Sequence, residues 1–78
     1  MTTFEQIIRI GMMRTGISSV ARLAERTGVP YATINRRFRS PQGCLAYEME
    51  AFADVLGIEM GEIAETCRRK KGKVKKTA

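Results

Sequence analysis

The stretch Val20–Phe38, VARLAERTGVPYATINRRF, carries side chains fit for one kind of chemistry: hydrogen bonding to base edges and phosphate oxygens. Arg36 offers a planar fork of donors that matches the O6 and N7 acceptors of guanine, a pairing that discriminates by about 1–3 kcal/mol. Its alternative is a solvated surface arginine. Asn35 can bond adenine or a phosphate. Tyr31 can stack its ring on a sugar, touch a thymine methyl or donate its hydroxyl to a phosphate; it can equally cover the edge of a core. Arg22, Arg26, Arg37 and Arg39 suit phosphate contacts, which position a protein without specifying sequence. Arg26 and Arg37 can instead pair with Glu48 or another acid inside the protein.

Two short helices must hold these groups. Ser19 or Ser18 can cap the first. Val20, Leu23, Ala24 and Thr27 then fall on one side at helical spacing, with Arg22, Glu25 and Arg26 on the other. Gly28 follows where a left-handed residue closes a helix. Val29 packs back across the turn, and Pro30 is tolerated where a new helix opens. The second helix runs over Tyr31–Arg39. Ile34 and Phe38 stack on its inner face; Ala32, Thr33 and Arg36 point away from them, with Tyr31 and Asn35 between. A short helix, a glycine turn and a second helix with a small, polar and cationic outer face is the sequence form of a helix-turn-helix.

The rest of the 78 residues frames that pair as one all-α domain of five helices with a modest core. Thr2 or Thr3 caps a first helix over Phe4–Met13, with Phe4, Ile7, Ile8 and Met12 as its buried stripe. Gly11 weakens it by about 1 kcal/mol relative to alanine. Thr15-Gly16 ends it, and Ile17 joins the core from the turn. Ser40-Pro41-Gln42-Gly43 breaks the chain after the second short helix. A fourth helix, Leu45–Leu56, shows Leu45, Met49, Phe52, Ala53 and Leu56 on one face and ends at Gly57, after which Ile58 packs back. A fifth, Met60–Cys67, carries Met60, Ile63, Ala64 and Cys67 as its stripe. No alternation calls for a strand. The expected core is Phe4, Ile8, Leu23, Ala24, Val29, Ile34, Phe38, Leu45, Met49, Phe52, Leu56, Ile58 and Ile63.

Charge is polarised along the chain. The net charge is +6. Residues 20–40 hold five arginines against Glu25; residues 41–66 hold six acids and no base; residues 67–78 hold seven bases and no acid. The acidic fourth helix would repel phosphate and should face away from a nucleic acid. The segment 68–78 has no apolar periodicity and is expected to be disordered. It can add salt-dependent affinity along DNA, or serve as a solubilising terminus, or fold on an acidic partner.

Other classes are disfavoured. There is no histidine, no paired-cysteine motif and no carboxylate pair beside a nucleophile, so neither a zinc site nor an enzyme is expected. Cys44 and Cys67 are too few and too far apart in sequence for a disulfide scaffold or metal cluster, and are expected to be ordinary thiols in a reducing compartment. No apolar run is long enough to span a membrane and nothing at the N-terminus resembles a signal peptide, so a cytoplasmic protein is expected. No cofactor or small-molecule ligand is expected.

These features together resemble the lambda-repressor-like DNA-binding domains of the Cro/repressor (XRE) family. The likeness covers about Phe4–Ile63. It rests on Leu23-Ala24-Glu25-Arg26-Thr27-Gly28-Val29, on Pro30 and Ile34, and on Glu48-Met49, Phe52-Ala53 and Leu56-Gly57-Ile58; Arg36-Arg37-Phe38-Arg39-Ser40-Pro41 looks like a phage-associated branch. The resemblance implies double-stranded DNA as partner, with Tyr31, Ala32, Asn35 and Arg36 facing the groove. Thr33 and the start of helix two, at Ser19, would hold phosphates. Pairing of two copies through helix 60–67 is also common in such domains. Two positions depart from the pattern. Val20 stands where a glutamine often donates to a phosphate, and Tyr31-Ala32 stand where amides or hydroxyls are usual. Arg36 is thereby left as the main base-reading residue. The expected function is that of a small transcriptional regulator of prophage or mobile-element type. Its rivals are a protein-interaction adaptor on the same fold and a nonspecific DNA binder.

Overall fold

The computed structural model describes residues 3–67; the expectation of a disordered basic tail falls outside them. Five helices follow in order: α1 (Phe4–Thr15), α2 (Val20–Thr27), α3 (Tyr31–Arg39), α4 (Ala46–Leu56) and α5 (Met60–Cys67), with a 3₁₀ turn at Pro41–Gly43. No strand occurs among the described residues.

Local chemistry sets the boundaries. Thr3 caps α1: its hydroxyl accepts the Gln6 N–H at 3.1 Å while its own N–H donates to Gln6 Oε1 at 2.9 Å, so two otherwise orphaned donors are satisfied. α1 runs two residues beyond the expected Met13, to Thr15, because the Thr15 hydroxyl bonds back to the Gly11 carbonyl at 2.8 Å and Gly16 supplies the left-handed stop. Ser19 is the cap of α2, accepting from the Arg22 N–H at 3.2 Å. Gly28, at φ +79°, reverses the chain between α2 and α3, a conformation that costs a residue bearing a Cβ. The Thr27 hydroxyl braces the same turn by accepting the Val29 N–H at 3.2 Å.

The core is built around α4, which packs against α1, α2 and α5. Phe4, Ile8, Leu23, Val29, Ile34, Phe52, Leu56 and Ile63 are buried as expected, and Met12, Ile17, Cys44 and Cys67 join them. Ala24, Phe38, Met49 and Ile58 are half-buried and lie against this cluster. Leu45 is a correction: it is 49% exposed. It sits outside α4 as the cap residue, in extended backbone, and so does not share the helix's inward stripe. Met60 also leaves its expected stripe and is exposed at the start of α5. The polar member of the interior is Glu48.

Aromatic contacts tie α1 to the far end of α3. The Phe4 ring lies 6.0 Å from Phe38 and 5.7 Å, edge-on, from Phe52, within the range in which such pairs attract. Arg9 covers the outer side of Phe38 at 5.2 Å and is held there by Glu5 at 3.0 Å. Gly11 lets α1 approach α4: a Cβ there would meet Ile58 Cδ1 at 2.9 Å and Leu56 Cβ at 3.0 Å. The glycine weakens the helix and permits its packing.

Candidate nucleic-acid interface

α3 is anchored from beneath and bare above. At 100° per residue, Ile34, Arg37 and Phe38 cluster on one side, while Ala32, Asn35, Arg36 and Arg39 form the opposite strip. Burial follows this division. Ile34 is fully enclosed and Phe38 is packed against Phe4; Ala32, Arg36 and Arg39 are exposed. Tyr31 is 55% exposed. Asn35 is half-buried, its amide donating to the Tyr31 carbonyl at 3.4 Å. Thr33 is half-buried at the margin of the strip.

α2 adds a second exposed pair. Arg22 and Arg26 are four apart and share its outward side, beside exposed Glu25. Ser19 at the start of α2 is exposed and uses its oxygen as the helix cap. Its hydroxyl hydrogen and the first backbone N–H groups of α2 are the donors this end presents. Val20 is half-buried on the core side and supplies no polar contact through its side chain.

Arg37 has another fate. Its Nε donates to Glu48 Oε1 at 2.9 Å and its Nη2 donates to Glu48 Oε2 at 3.2 Å. The two side chains are 14% and 2% exposed. Of the two roles open to Arg37 in the sequence, the structure takes the internal ion pair, and the phosphate-contact assignment is corrected accordingly. The bridge is fork-to-fork, the geometry in which arginine and carboxylate match best. Glu48 Oε1 also accepts the Leu45 N–H at 2.9 Å. One carboxylate therefore caps α4 and holds α3. Burial pushes the Glu48 carboxyl up, but the Arg37 hydrogen bonds and the Leu45 N–H outweigh it and hold the group below the usual range. Arg37 is raised in turn, chiefly by its hydrogen bond to Glu48.

One support of the site has no local signal in the sequence. Arg9 on Phe38 joins residues 29 positions apart, and no local spacing announces it. Among the described residues no His, Cys, Asp or Glu group is arranged to hold a metal, and no helix is long and apolar enough to cross a membrane.

Comparison with known proteins agrees with this geometry. A family model described as the Cro/C1-type HTH DNA-binding domain matches residues 8–67. No curated protein and no solved structure matches the chain.

Proposed function

The chain belongs to the Cro/C1-type helix-turn-helix DNA-binding domain family, and from that premise we propose that it is a sequence-specific transcriptional regulator of prophage or mobile-element type. In this reading α3 lies in the major groove of double-stranded DNA. Arg36 pairs with a guanine edge, and Asn35, Ala32 and Tyr31 contact the neighbouring bases or their methyl groups. Arg22, Arg26, Arg39, Thr33 and the Ser19 end of α2 hold phosphates and fix register. The protein acts by occupancy, blocking a promoter or touching polymerase.

One observation carries the proposal. On α3, every residue that could anchor the helix is turned inward, and the exposed strip keeps Arg36 and Arg39 with no ion-pair partner among the salt bridges of the described residues. Two copies pairing through α5, where Met60 is exposed, would present two α3 helices to half-sites about 34–36 Å apart.

The adaptor reading draws on Tyr31 and Ala32, which place exposed apolar surface at the start of α3. A fluorescence-anisotropy titration at several salt concentrations separates the two. The DNAs are the region around the protein's own gene and a scrambled control. A preference of roughly tenfold, about 1.4 kcal/mol, that survives truncation after Cys67 is the expected result. Equal binding to both DNAs, lost with the tail or with moderate salt, would discard sequence reading.

A further inference from the structure

Cys44 and Cys67 meet inside the molecule. Cys44 follows the 3₁₀ turn and is 9% exposed; Cys67 ends α5 and is 6% exposed. Both belong to the same core cluster, α5 packs on the 3₁₀ turn, and the two thiols are close enough for each to shift the other's titration. Neither belongs to the DNA-facing strip. Cys44 also lies just beneath the surface, because Gly43 and Leu45 on either side of it are exposed.

We propose that Cys44 and Cys67 close an intramolecular disulfide under oxidising conditions, a reversible lock that ties the segment leaving α3 to the end of α5. The two thiols bias one another. Cys67 pushes the Cys44 thiol up, with burial adding to the effect. Cys44 holds Cys67 below its ordinary value, against burial, which raises it.

The chemistry balances with a hydroperoxide as oxidant. One of the two thiolates attacks the peroxide oxygen; the O–O bond breaks, that sulfur becomes a sulfenic acid, and an alcohol or water leaves after taking up a proton. The other thiol then gives up its proton and attacks the oxidised sulfur. The S–S bond forms, the S–O bond breaks and water leaves. Two thiols have lost two electrons and the peroxide has gained them. A low-molecular-weight disulfide reaches the same product by exchange, releasing two thiols.

A fold that holds the two thiols in one cluster favours the bond relative to the unfolded chain, and by linkage the bond stabilises the fold. The test equilibrates the full chain in glutathione redox buffers, with and without denaturing guanidinium. Samples are trapped with an alkylating agent and weighed intact. The native chain should convert to a monomer that takes up no alkyl group and weighs about 2 Da less than the unalkylated reduced chain, with the Cys44 and Cys67 peptides linked. Its equilibrium constant should exceed the denatured chain's by tenfold or more, equal to about 1.4 kcal/mol or about 30 mV. The oxidised protein should also melt at a higher temperature than the reduced one. Equal constants in the two conditions would overturn the proposal, as would glutathione adducts or disulfide-linked dimers as the main native product. The measurement needs no variant that might fail to fold, and its outcome is independent of DNA binding.

Discussion

Arg36 and Arg37 are consecutive, chemically identical and opposite in use. Arg36 stands in solvent on the outer strip of α3. Arg37, one step of 100° away, lies in the seam between α3 and α4 with both ends of its fork on Glu48. The first is free to pair with a ligand because the second has found its partner at home. The comparison shows how a helix of nine residues can be cationic and still be held in place. Only the arginines that turn outward count toward the surface charge, and the one that turns inward fixes where that charge points.

The largest effect should come from breaking the seam. Glu48→Ala leaves the largely buried Arg37 side chain without its acid and removes the acceptor of the Leu45 N–H. A loss of about 3–5 kcal/mol is expected, read by urea denaturation, with Glu48→Gln less severe because its amide oxygen can still cap α4. If Glu48→Ala unfolds at the wild-type urea midpoint, the seam does not anchor α3.

Acid should work on the same pair from the outside. The Glu48 carboxyl titrates lower in the folded chain than its ordinary value of 4.5. Its contribution to stability is therefore complete above that value and is lost as pH falls through the depressed folded value. Thermal melts across this range should show a decline that Glu48→Gln abolishes in part; an identical decline in both proteins would assign it to other carboxylates.

The outer strip should behave in reverse. Arg36→Ala is expected to leave stability within about 0.5 kcal/mol while removing about 1–3 kcal/mol of preference at a single base pair. Competition binding with single-base variants of the bound site measures this. The smallest effect belongs to Arg39→Ala: a uniform weakening across DNAs and a salt slope reduced by about one phosphate contact. A change in base preference with Arg39→Ala, and none with Arg36→Ala, would exchange the two roles.

Much of this arrangement was legible in the chain. Leu23, Ile34, Phe52 and Ile63 each belong to an apolar stripe at helical spacing within their own helix, and the glycines at 16, 28 and 57 mark three helix ends, each with positive φ; periodicity and turn chemistry are local, so they survive in one dimension. Glu48 was visible as a partner for Arg37, but nothing in the spacing decided between an acid within the protein and a phosphate outside it. Burial decided it, and burial is a property of the assembled core. Leu45 failed for the opposite reason: its side chain fits the apolar pattern, but its backbone lies one residue before the helix. Cys44 and Cys67 were separated in the sequence by all of α4 and most of α5, and only the packing of α5 on the 3₁₀ turn brings them together. The outer strip could be read as a surface from its residue types. Its contacts with DNA depend on a second molecule, whose shape the chain does not encode.

The stack of Phe38, Phe4 and Phe52 has a consequence for how the protein is made. A ribosome delivers α3 before it delivers α4. At that moment Arg37 has no Glu48 and Phe4 has no Phe52, so α3 emerges with only α1 and α2 to pack on. A nascent chain halted before residue 48 would thus expose its arginines without the scaffold that aims them. Helices that pack only with their neighbours can settle as they emerge; this one must wait. The surface proposed to meet DNA takes its final bearing only when Glu48 and Phe52 of α4 have arrived.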